Sequence, residues 1–131
     1  MYISVSDAGP AGAAPDSGRI VRLRINEDGS AGKPVPVVQK VALQSVDGIA
    51  FDVFGTLWAA INSNKIGTVR HGEFRLPADN PGWLDCPTMV AFGTTLKTRT
   101  NLFVSNGGFN TGTPNIVSVD VGVRGLRLPA E

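Results

Sequence analysis

Val46-Asp47-Gly48-Ile49-Ala50-Phe51-Asp52, followed by Val53-Phe54-Gly55, Thr56-Leu57-Trp58-Ala59-Ala60-Ile61, Asn62-Ser63-Asn64 and Lys65-Ile66-Gly67-Thr68-Val69, decides the fold. Apolar residues alternate at Ile49 and Phe51, at Leu57, Ala59 and Ile61, and again at Ile66. Period-2 runs cut by Gly and Asn predict three short strands of an antiparallel meander. Gly55 supplies a positive φ after Phe54, and Asn62-Ser63-Asn64 offers side-chain acceptors to a turn backbone.

The rest of the chain reads as variants of this unit. Residues 1–7 (Met-Tyr-Ile-Ser-Val-Ser-Asp), Gly18 to Ile25 and Lys33 to Gln39 read as strands, and 8–17 as a loop rich in Ala, Gly and Pro. Pro34 and Pro36 cannot donate to a ladder, which puts the third of these at a sheet edge. Further on, Pro87-Thr88-Met89-Val90-Ala91-Phe92 matches Val46 to Phe51, and Leu102-Phe103-Val104-Ser105 matches Leu57 to Ala60. Phe74-Arg75-Leu76-Pro77-Ala78 and Leu126-Arg127-Leu128-Pro129-Ala130 are nearly one segment. The spacing falls within the ~40–50 residues of a four-stranded propeller blade. The expectation is an all-β partial β-propeller of about three blades, a single domain over 1–131. Its blades are 1–39 with strands B to D only, 45–78 and 86–131, eleven strands in all. Since propellers close with about four to eight blades, a two-fold homodimer completing a six-bladed ring is expected.

Composition narrows the function. Net charge is +1, with Lys and Arg spread along the strands, so neither nucleic acid nor a membrane is expected as a partner. No apolar run approaches the ~20 residues that span a bilayer. The first residues lack a basic and apolar leader. Together with a single cysteine, Cys86, this gives a cytoplasmic expectation. Cys86 reads as a small half-buried residue beside Pro87, His71 as a solvated residue at a turn, and Asp52 as a turn residue. No phosphate loop, nucleophile elbow or His-Glu-x-x-His motif is present.

Ser45-Val46-Asp47-Gly48-Ile49-Ala50-Phe51-Asp52 with Gly55-Thr56-Leu57-Trp58-Ala59-Ala60 resembles the signature of the regucalcin/gluconolactonase family. Lys65-Ile66, Phe74-Arg75-Leu76-Pro77, Cys86 to Gly93 and Leu102 to Ser105 fit the same likeness. It covers nearly the whole chain but only the C-terminal half of that six-bladed fold. The resemblance implies a divalent cation, calcium or zinc, in the channel and hydrolysis of sugar lactones or related esters. Asp47 takes the place of the family's metal ligand and general base. The family's other ligands, a glutamate and an asparagine, belong to blades this chain lacks. Thr88 is the counterpart of Asp47 in the third blade. Asn106 ends a B strand at a channel mouth, and Trp83 either shields that mouth or packs between blades. These three are the candidate contacts for a small carbohydrate-like or lactone ligand. The alternative is a non-catalytic propeller module for binding or assembly, or a fragment of a longer propeller protein.

Overall fold

The computed structural model describes residues 1–6, 18–76 and 82–127. The described residues hold three antiparallel sheets and no α-helix. The chain divides into two compact units, Met1–Val46 and Asp47–Glu131.

In the first unit, β1 (Tyr2–Val5), β2 (Arg19–Arg22) and β3 (Val35–Gln39) pair in that order. β3 is therefore an edge strand, as its prolines require. Ile20 stands opposite Val38 and Val21 opposite Pro36, so Val37 is bulged out of the ladder. Ile20 and Leu43 are fully buried. Leu43 reaches that core from a single 3-10 turn, Val41–Leu43. Gly18 makes the close packing possible: a Cβ there would sit 2.1 Å from the Leu43 carbonyl carbon.

The second sheet runs β4 (Val46–Phe51), β5 (Leu57–Ile61), β6 (Lys65–Arg70), β7 (Glu73–Arg75). The meander expected from the quoted stretch is present, with a fourth strand. Gly55 has φ +77° and donates to the Asp52 carbonyl at 3.0 Å, closing the first turn. His71 and Gly72, both at positive φ, make the two-residue turn into β7. His71 is exposed there, as expected for a turn histidine.

The third sheet contains β8 (Pro87–Phe92), β9 (Asn101–Asn106) and β10 (Asn115–Asp120), with β9 central. Within the second unit β5 lies against β8. The core between them is Ala60, Leu84, Val90, Leu102 and Val104, flanked by Trp58, Trp83 and Phe92. Trp58 and Phe92 meet edge to face, with centroids 6.0 Å apart.

One expected strand is missing. Residues 124–127 do not pair outside β10 as a fourth strand of the third sheet, and the described residues contain ten strands. A turn at Gly122 (φ +70°), held by its N–H on Asp120 Oδ1 at 2.9 Å, redirects the chain. It then runs beside the end of β4, where Leu126 N–H donates to Phe51 O at 2.8 Å and Gly125 bridges Asp52. Gly125 fits only without a side chain, because a Cβ would lie 2.2 Å from Phe92 Cβ. Asp7, the 8–17 loop and the matching ends Pro77-Ala78 and Leu128-Pro129-Ala130 lie outside the described residues.

Candidate functional site

Asp47 is the second residue of β4 and is exposed. Its carboxylate carries no hydrogen bond among the described residues. The glycine after it has a local cause. A Cβ on Gly48 would meet Met89 Cα at 2.7 Å and Thr88 O at 2.9 Å, so the backbones of β4 and β8 touch there. This approach brings the Asp47-Gly48 and Thr88-Met89 pairs side by side, the two positions matched in the sequence. The Thr88 hydroxyl is turned to its own sheet and donates to Ser105 O at 3.3 Å.

Asn106 and Trp83 come together on a different footing. Asn106 is 2% exposed at the end of β9. Its Oδ1 accepts the Asp85 N–H at 3.1 Å, while its Nδ2 donates to Trp83 O at 3.0 Å and Asn115 Oδ1 at 2.9 Å. The amide thus ties the segment before β8 to both ends of the β9–β10 loop, as a buried polar group must.

Asp85 was not singled out in the sequence, yet it organises this region. Its Oδ1 accepts the backbone N–H and the Nδ2 of Asn110 at 3.0 and 2.6 Å. Its Oδ2 accepts the backbone N–H and the hydroxyl of Thr111 at 2.8 and 2.7 Å. These bonds, the Thr111 hydroxyl foremost, lower its pKa from 3.8 to about 2. Gly108 N–H on Asp85 O at 3.2 Å and Gly107 N–H on Cys86 O at 3.0 Å complete the clasp. Cys86 is half-buried, as expected, but at φ +52°, with its N–H on Asn64 Oδ1 at 2.7 Å. The legible signal was an Asp two residues before Pro87 facing a run of Gly, Asn and Thr.

An open depression of ≈ 230 Å³ lies over this clasp, lined among others by Asn64, Trp83, Asn110, Thr111 and Asn115. Asn64 and Asn115 spend their Oδ1 atoms within the protein. Their Nδ2 groups and the Trp83 indole N–H carry no bond among the described residues. Amide donors beside an aromatic ring suit a small uncharged polar ligand. Asp85 is no free base, since both its oxygens are occupied.

Among the described residues no three His, Cys, Asp or Glu side chains stand together. Among the described residues Asp47 therefore belongs to no such group, and the glutamate and asparagine that the resemblance implies as its co-ligands belong to blades outside this sequence. Asp52 is spent otherwise: 3% exposed, it accepts from Phe54 N, Thr56 N and Trp58 Nε1. No protein-family model matches the sequence, and no curated protein matches it either.

Proposed function

We propose that the chain is a three-blade section of a β-propeller serving as a non-catalytic binding and assembly module, akin in architecture to metal-dependent sugar lactonases. The observation that supports this is a sheet face that carries exposed side chains among the described residues. In the third sheet Val90, Leu102 and Val104 form one face and are no more than 1% exposed. The alternate face carries Ala91, Phe103 and Ser118 in one cross-strand row and Ser105 and Ile116 in the next. Ile116 is 74% exposed and Phe103 only half-buried. Inner blades of a propeller are covered on both faces, so this face calls for another sheet. A second copy, related by a two-fold axis, supplies it most simply and completes six blades. A small polar ligand, carbohydrate-like or a lactone, is the guest proposed for the completed ring. Light scattering tests the assembly: twice the 13.7 kDa chain mass is expected, falling to one chain in Ile116→Lys. A well-folded wild-type monomer at micromolar concentration overturns the reading.

Cation-dependent lactone hydrolysis is the second reading, favoured by the exposed, unbonded Asp47 carboxylate. Calcium or zinc then raises the Tm of wild type and leaves that of Asp47→Ala unchanged. Equal melting of both proteins with and without metal removes it.

A further inference from the structure

Lys97 and Arg99 lie far in sequence from Arg124 and Arg127, and backbone hydrogen bonds join the two segments that carry them. Three segments meet at the end of β4: the turn after Asp52, the loop 93–100 between β8 and β9, and the run 121–127. Backbone bonds stitch them: Val53 N–H to Arg124 O at 2.9 Å, Gly125 N–H to Arg99 O at 3.2 Å, and Val121 N–H to Thr100 O at 2.9 Å. Residues 53–56, 93–100 and 121–127 contain these four cations and no acid. The neighbouring Asp52 and Asp120 carboxylates accept backbone N–H groups and keep their charge. With those two acids counted, these described segments carry four cations against two acids, a net of +2.

The same segments hold large apolar side chains out in solvent. Leu96 is 78% exposed, Phe54 69%, Leu126 56% and Val53 47%. Phe54 and Leu96 stand at turns, Phe54 within the Asp52–Gly55 turn and Leu96 within the Thr95–Thr98 turn. Side chains so exposed protrude; they do not line a cleft. The depression over Asp85 lies at the opposite end of β8 and β9, by Pro87 and Asn106. Protruding apolar tips among Lys and Arg suit an anionic lipid surface. The tips enter the headgroup boundary, and the cations pair with acidic headgroups while their stems follow the apolar side chains.

We propose that this end of the second unit is a peripheral docking surface for an anionic membrane. Phe54 and Leu96 are the inserting side chains, and Lys97, Arg99, Arg124 and Arg127 the headgroup contacts. The expectation of no membrane partner rested on the net charge of +1, on Lys and Arg spread along the strands and on the absence of an apolar span; among the described residues no helix is long and apolar enough to cross a membrane, and the surface proposed here is peripheral. It does not depend on ring completion.

Co-sedimentation of the full chain with vesicles of phosphatidylserine and phosphatidylcholine at about 1:2, and with phosphatidylcholine alone, tests it. The anionic vesicles are expected to bind at least ~10-fold more tightly, and the preference collapses between about 0.1 M and about 0.5 M salt. Phe54→Ser, Leu96→Ser and the double variant Lys97→Glu/Arg124→Glu each weaken anionic binding by ~10-fold with Tm unchanged, because the replaced side chains are exposed. Absence of binding to the anionic vesicles, equal binding to both kinds, or full retention in all folded variants overturns the proposal. So does Phe54-dependent capture of soluble poly-glutamate without vesicle binding, which assigns the surface to an acidic protein. Should a variant fail to fold, the comparison of vesicle compositions decides.

Discussion

Replacing Asp52 probes the turn from which the meander is built. Its buried carboxylate accepts three N–H groups: Phe54 and Thr56 at 2.9 Å on Oδ1, and the Trp58 indole at 3.1 Å on Oδ2. A hydrogen bond to a charged group contributes about 1.5–3 kcal/mol, but an amide that can turn to water recovers part of that. Phe54 lies at an exposed turn and recovers most of it, whereas Thr56 and Trp58 are half-buried. Asp52→Ala is therefore expected to cost about 2–4 kcal/mol. Asp52→Asn keeps an oxygen for the two turn amides and sets its NH₂ against the Trp58 N–H. Its expected cost is about 1–2 kcal/mol. In a Trp58→Phe background the opposing donor is gone, so the Asn substitution should cost about 1 kcal/mol less than in wild type. Urea unfolding followed by circular dichroism, with an unchanged m-value, gives all four corners of the cycle. An alanine variant within about 0.5 kcal/mol of wild type, or an Asn cost equal in both backgrounds, refutes the account of this turn.

Asp85 predicts a pH dependence. The folded protein lowers its pKa from 3.8 to about 2, so the unfolded chain binds the proton more readily. The stabilisation is complete above the unfolded value and disappears as pH falls from about 4 to about 2. Tm should fall more steeply across that window in wild type than in Asp85→Asn, and parallel profiles would refute the clasp. Exposed Asp28, lowered by the Ser30 hydroxyl, acts equally in both proteins and cancels in the comparison. Gly48→Ala should lose about 1–3 kcal/mol by urea unfolding, because its methyl group meets the β8 backbone at Met89 Cα and Thr88 O. Wild-type stability in that variant would show that β4 and β8 do not touch there.

Strand positions and turns were legible in the sequence. Alternation at Ile49, Phe51, Leu57, Ala59 and Ile61 and the glycine at Gly55 are local signals, and a pleated strand answers to them directly. Pro34 and Pro36 likewise gave β3 its edge position through the missing N–H. The run after Gly122 misled: its likeness to Phe74-Arg75-Leu76 suggested a strand beyond β10. The turn at Asp120 to Gly122 sent it to the end of β4 instead, where its backbone found partners on Phe51 and Arg99.

The candidate site was less legible. Asp47 and Thr88 were marked by the repeat, and the close approach at Gly48 sets their two strands side by side. Asp85 has no periodic signature, because its partners Asn110 and Thr111 lie 25 and 26 residues away in sequence.

By itself the amino-acid order determined the all-β class, the meander and most strand limits, since each follows from neighbours within a few residues. Tertiary structure alone decided which loop Asp85 clasps, where residues 124–127 run, and that four scattered cations share one end with Phe54 and Leu96. Those outcomes depend on which distant backbones come within hydrogen-bond reach, and pairing at that range is chosen by packing of the whole unit.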